Sequence, residues 1–174
     1  AAGGVSRGKL DERQARDLVG RVRRIAAVND LPHGMDLAIE TVPERLDIKQ
    51  AVPEEIQAAA SKTAIIGSST SGYKPSELQA EASNPGQILV AHPFNPVYLL
   101  PLAEVVPGPS SESATTDRAC EILRSIGMEP LIVRNEIDAH IADRFLEAVW
   151  REALWLIKDD IATTEEIDNA IRYG

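Results

Sequence analysis

The sequence predicts an α/β chain: a parallel sheet layered with helices, followed by the start of an all-α segment. Three observations predict it. Short apolar runs alternate with amphipathic stretches between residues 36 and 133. Two of those runs stop at small polar or titratable residues, as strands do at the carboxyl edge of a parallel sheet. Beyond residue 136 the short runs cease and a helical period takes over.

Taken in order, residues 9–28 read as a helix, with Leu18, Val19, Val22, Ile25 and Ala26 at helical spacing and Arg21, Arg23 and Arg24 on a solvated face. Residues 36–40 form a short buried strand. Residues 44–60 are helix-prone, in one piece or in two divided at Pro53. Residues 63–66 are a compact apolar strand that stops at Gly67-Ser-Ser-Thr-Ser-Gly72. Residues 75–82 fit a short helix with proline in its first turn. The third strand, 87–91, runs into His92-Pro-Phe-Asn-Pro96, and 102–106 is a fourth. A helix over 110–126 is closed by Gly127, and 131–133 is a fifth strand. Residues 137–158 then form one long amphipathic helix, with Ile141, Phe145, Ala148, Val149 and Leu156 on one side and Trp150 and Trp155 nearby. Thr163-Thr-Glu-Glu166 is a capping box opening a helix over 167–173. The expected division is 1–136 and 137–174. Two helices bury their apolar faces poorly by themselves, so the second part reads as the beginning of a helical domain.

Composition narrows the function. With 174 residues, 44% apolar and 26% charged, the chain suits one packed domain and a piece of another. Eighteen basic against 27 acidic residues leave −9, which argues against nucleic acid and anionic membrane surfaces as partners. No apolar run approaches the ~20 residues of a membrane span, and Ala1-Ala2-Gly3-Gly4 lacks a secretory pattern. The expectation is a cytoplasmic protein. A single cysteine, Cys120, cannot form an internal disulfide and reads as a small core residue. His33 lies in a turn and His140 at a helix start, neither with Cys or carboxylates at ligand spacing, so no metal is expected.

The chemistry concentrates in His92-Pro-Phe-Asn-Pro-Val-Tyr-Leu-Leu-Pro-Leu-Ala-Glu104. A histidine directly after a buried strand emerges at the sheet edge, where open α/β folds bind ligands, and imidazole accepts protons near neutral pH. Glu104, on the adjoining strand, would fix its tautomer. Spacing alone favours a blander reading, with His92 capping its strand and Glu104 paired elsewhere.

The motifs tip that balance. Ser68-Ser-Thr-Ser-Gly72, His92-Pro-Phe-Asn-Pro96 and Leu102-Ala-Glu-Val-Val106, in this order, resemble the 3-hydroxyacyl-CoA dehydrogenase superfamily. Asp36-Leu-Ala-Ile-Glu-Thr-Val-Pro-Glu44 resembles its segment before the nicotinamide site, and Asp138-Ala-His-Ile-Ala-Asp-Arg-Phe145 the start of its helical domain. Acyl-CoA members carry lysine where this chain has Pro101. That run, with Trp150-Arg-Glu-Ala-Leu-Trp155, is most similar to the L-carnitine 3-dehydrogenase subfamily.

The resemblance implies a Rossmann-type doubly wound sheet, NAD as cofactor, a small-molecule substrate (carnitine or a related 3-hydroxy acid) and a homodimer in the full-length protein. It implies His92 as general base, Glu104 as its orienting partner and Ser71 as a hydrogen bond to the substrate oxygen and part of the cofactor site. Asn95 would position the nicotinamide. Glu44 and Lys49 either line the nicotinamide ribose or form a helix-surface pair. Asp143 replaces the superfamily's asparagine. As an anion it would favour a cationic head group, but a pair with Arg144 is the favoured reading. Tyr73 and Tyr98 are candidates for a cation–π cage, whereas Trp150 and Trp155 read as core. No Gly-x-Gly-x-x-Gly follows a strand, and Gly3-Gly-Val-Ser-Arg-Gly8 has the wrong spacing. The resemblance places that turn in the first two βαβ units, so the expectation is a partial sheet lacking them, with cofactor binding weak or absent on its own. A 3-hydroxyacyl-CoA dehydrogenase and a non-catalytic, crystallin-like relative are the alternatives.

Overall fold

A computed structural model describes residues 11–174; the glycine run 3–8 and the first two residues of the 9–28 helix lie outside the described residues. The elements are helix α1 (Glu12–Gly20), strand β1 (Leu37–Glu40), α2 (Leu46–Ala59), β2 (Ile65–Ser68), α3 (Pro75–Gln79), β3 (Ile88–Pro93), β4 (Leu102–Pro107), α4 (Ser113–Ser125), β5 (Glu129–Ile132), α5 (Ala142–Lys158) and α6 (Thr164–Tyr173). The strands form one sheet in the order β1-β2-β3-β4-β5. β1, β2 and β3 are parallel, β4 runs antiparallel to β3, and β5 is parallel to β4. The α/β sheet expected from the sequence is thus parallel except between β3 and β4. The loop between β3 and β4 carries no crossover helix, and a short connection can only return the chain antiparallel.

Successive strand residues face opposite sides of the sheet, and the core divides accordingly. Ile66, Ile88, Val90 and Val106 pack with Ile56 of α2 and Leu78 of α3. Ile65, Leu89, Ala91, Ala103 and Val105 pack with Ala119, Cys120 and Leu123 of α4 on the other face. Cys120 is the core residue expected, and burial pushes its thiol pKa up, away from a nucleophile's range.

Several boundaries move. α1 is capped by Asp11 and Gln14 bonding each other's backbone N–H, but it ends at Gly20 instead of 28; it buries no residue, so no packing holds Val22 and Ile25 in helix. β1 is an edge strand, and of its residues only Glu40 is buried. α2 runs through Pro53 in one piece, forgoing a backbone bond. α4 closes as expected: Gly127 adopts φ +85°, its N–H donates to Arg124 O and that of Met128 to Leu123 O. The long helix starts at Ala142, five residues later than its periodicity suggests, because Ala139 and His140 take left-handed φ. Thr163 and Glu166 form the expected box, with α6 beginning at once at Thr164. Trp150 and Trp155 are exposed, not core, since α5 buries no residue. Among the described residues no helix is long and apolar enough to cross a membrane.

Candidate active site

The parallel strands bring the ends of β1, β2 and β3 to one edge of the sheet, so Glu40, Ser68 and His92 lie along it. Antiparallel pairing then sets His92 of β3 directly opposite Glu104 of β4, close enough for their side chains to meet. His92 Nδ1–H donates to Glu104 Oε2 at 3.0 Å. The spacing-based preference for separate partners is overturned by this register.

Glu104 is fully buried, and its second oxygen, Oε1, accepts the backbone N–H groups of Ile141 (2.9 Å) and Ala142 (2.8 Å). Burial alone would raise its pKa. The bonds from Ala142, His92 and Ile141 outweigh that, and the carboxyl lies below its ordinary value. An ionised Glu104 on Nδ1–H leaves the lone pair of the neutral ring on Nε2. That nitrogen faces outward, 4.0 Å from Oδ2 of Asp143, whose side chain is 31% exposed. Asp143 therefore turns to His92 and not to Arg144, which corrects the salt-bridge reading: the first turn of α5 points it at the sheet edge.

His140 is the residue that sequence reasoning missed. It is 1% exposed, its ring centroid lies 5.5 Å from that of His92, and its Nε2–H donates to Thr70 O at 3.1 Å. Its Nδ1 is buried without a hydrogen-bond partner. Ala139 (φ 58°) and His140 (φ 49°) stand consecutively in left-handed conformation, at about 1–2 kcal/mol each for non-glycine residues. A histidine before a helix offers no signal of this in a single sequence.

A second network lies beneath the same edge. Lys49, on the first turn of α2, is 1% exposed; its Nζ contacts Glu40 Oε1 (3.0 Å), Glu44 Oε2 (3.2 Å) and Val42 O (3.3 Å). Ser68 OγH donates to Glu40 Oε2 at 2.6 Å, and Val42 N–H to Oε1 at 2.7 Å. Thr70 OγH donates to Glu44 and accepts the N–H groups of Gly72 (3.2 Å) and Tyr73 (3.0 Å), shaping the turn that bears Ser71. Burial pushes the Glu44 carboxyl up, but bonds from Thr70 and Lys49 and the Lys49 charge hold it below its ordinary value. The helix-surface pair is corrected: Lys49 occupies the inner face of α2.

Ser71 and Asn95 are exposed in the turns after β2 and β3. Tyr73 is half-buried against the first core cluster, while Tyr98 lies exposed in the turn after Pro96. Lys74 pairs with Asp138 at 2.9 Å, and Ser76 N–H donates to Glu136. Glu44, Ser71 and Asn95 are thus three polar side chains exposed near the edge where open α/β sheets bind ligands. Among the described residues no glycine-rich turn follows a strand for the pyrophosphate, and no cluster of His, Cys, Asp or Glu is placed to hold a metal.

Comparison with known proteins bears on this geometry. The family model described as the 3-hydroxyacyl-CoA dehydrogenase NAD-binding domain matches residues 1–137. The L-carnitine dehydrogenase/betainyl-CoA thioesterase of Ruegeria pomeroyi is 67% identical over 135 residues, 78% of this chain and 28% of the relative. The L-carnitine dehydrogenase of Pseudomonas aeruginosa is 52% identical over 154 residues, 88% and 48% of the two chains. The chain thus spans less than half the length of either. Among solved structures, 3-hydroxybutyryl-CoA dehydrogenase from Escherichia coli K12 has TM-score 0.89 at 27% identity, covering 99% of this chain and 36% of its own. The (S)-3-hydroxybutyryl-CoA dehydrogenase of Ralstonia eutropha has TM-score 0.87 at 25% identity, covering 99% and 60%.

Proposed function

Since the chain belongs to the 3-hydroxyacyl-CoA dehydrogenase family through its NAD-binding domain, we propose that it carries the catalytic pair of an NAD-dependent dehydrogenase. The reaction is oxidation of a 3-hydroxyl to a ketone, with L-carnitine as the substrate. The observation that carries this reading is the buried Glu104 on His92 Nδ1, which leaves Nε2, 4.0 Å from Asp143, as the proton acceptor.

Bound NAD would supply the hydride acceptor. Glu44, Ser71 and Asn95 would hold its nicotinamide end, with Lys49 fixing Glu44 from below. His92 Nε2 takes the hydroxyl proton as hydride leaves the same carbon, and Glu104 stabilises the imidazolium that results. Asp143, 4.0 Å from Nε2, adds a carboxylate suited to the trimethylammonium end of carnitine. A thioester of CoA would need free cations for its phosphates. Here Lys49 is buried and Lys74 is tied to Asp138. The names of the relatives support the same substrate.

The test is NADH formation by the full-length polypeptide carrying this sequence, offered L-carnitine and, separately, 3-hydroxybutyryl-CoA. Turnover of carnitine is expected, and His92→Gln should lower it by about 10²–10⁴-fold with NADH affinity kept. Turnover of the thioester alone would replace the substrate. Silence with both, while NADH still binds, would favour a non-catalytic relative.

A further inference from the structure

We propose that His140 is a positioning residue of this site: an imidazole strut that locks the turn clamping Glu104 against the turn bearing Ser71. The inference rests on the dehydrogenase reading of the His92–Glu104 pair.

The turn 139–142 does two things at once. Its backbone gives the N–H groups of Ile141 and Ala142 to Glu104 Oε1, and its one buried side chain, His140, reaches across to Thr70 O. A carbonyl only accepts, so the bond to Thr70 requires a hydrogen on Nε2. The other ring nitrogen, Nδ1, is left buried without a partner. Leaving a polar atom unsatisfied is unfavourable, as are the two left-handed residues that carry the ring inward. An apolar side chain would fill this space without the unsatisfied nitrogen, so the Nε2–H bond is the feature that the histidine supplies.

That bond joins the halves of the site. Thr70 carries the carbonyl held by His140, and through its hydroxyl it holds Glu44 and the N–H groups of Gly72 and Tyr73. The His140 ring also packs at 5.5 Å on that of His92, tilted by 52°, and restricts its rotation. One side chain thereby fixes the base, the clamp on its carboxylate and the Ser71 turn relative to one another.

The experiment compares His140→Phe and His140→Gln with the parent, in the full-length polypeptide. Phenylalanine keeps the ring volume and loses the donor, whereas the glutamine amide nitrogen reaches where Nε2 stood. His140→Phe should lower kcat about tenfold or more with KM for NAD and substrate nearly unchanged, and His140→Gln should recover most of it, because misplacing a catalytic group by about 1 Å costs up to ~10²-fold. A Phe variant as fast as the parent, or Phe and Gln variants equally slow, overturns the proposal. Nitrogen-15 NMR of labelled histidines reads the strut independently of turnover. A slowly exchanging Nε2–H that disappears in His140→Phe supports it, and an Nδ1–H tautomer refutes it. If the parent oxidises nothing yet shows this signal, the dehydrogenase reading falls while the strut stands as structure.

Discussion

Each oxygen of Glu104 is held by a different part of the chain: Oε2 by His92 on the neighbouring strand, Oε1 by two N–H groups from the turn before α5. These bonds favour the charged form, so the folded carboxyl gives up its proton at lower pH than the unfolded one, whose ordinary value is 4.5. The unfolded state binds more protons in that range. Stability from Glu104 is therefore complete above pH 4.5 and is lost as pH falls through the lower folded value. Glu104→Gln should lower the urea unfolding free energy by about 1.5–3 kcal/mol at neutral pH, the scale of a hydrogen bond to a charged group. The gap to the parent should close as the solution is acidified. A gap constant down to acid pH would mean that the carboxylate charge contributes nothing. At this scale the sequence disclosed His92 and Glu104, because their motifs carry chemistry in a recognisable order. It did not disclose His140 or the burial of Lys49. A lone histidine and a lysine beside glutamates look like surface residues until the sheet edge encloses them.

Between elements, the close approach of β1 and β3 around β2 depends on Gly67. A Cβ there would stand 2.8 Å from both Ala91 Cβ and Ile39 Cδ1, inside contact distance on either side. Ala91 is in the centre of the sheet next to His92 and has no freedom to retreat, so the overlap must be relieved by moving strands. Gly67→Ala should cost about 1–3 kcal/mol, read as a fall in the urea midpoint at unchanged m-value. Because β2 leads into Thr70 and the Ser71 turn, the same variant should also lower kcat; a change in stability alone would show that the strain is absorbed away from the site. The five strands were legible because a run of three or four apolar residues bounded by polar or turn residues is too short for a helix and too apolar for a loop. The direction of β4 was not, since it follows from the length of the 94–101 connection, whose own apolar run, Val97 to Leu100, masks its character as a loop. The start of α5 was also hidden: periodicity continues back to Ile137, whereas the left-handed Ala139 and His140 and the bonds to Glu104 hold the helix off until Ala142.

Across the whole molecule, apolar surface is unevenly distributed. The sheet layers are packed on both faces, whereas α5 and α6 bury no residue. Phe145 (74% exposed), Leu146, Val149, Trp150 (60%) and Leu154 line α5, and Ile171 and Tyr173 extend the same character into α6. Full burial of one such large side chain is worth about 1.5–3 kcal/mol, so a handful of them outweighs the cost of bringing two molecules together. The net charge of −9 opposes that contact, and salt screens it. Residues 1–174 expressed by themselves should therefore self-associate through these helices, more strongly as ionic strength rises. Sedimentation velocity over a range of concentrations, at low and high salt, reads both effects. The double variant Phe145→Glu/Trp150→Glu should return the chain to a monomer without moving its far-ultraviolet circular dichroism, because neither side chain contributes to the core. If the parent is already monomeric at every concentration and salt, α5 and α6 fold back on the sheet in solution, and the two tryptophans will then show the blue-shifted fluorescence of buried rings.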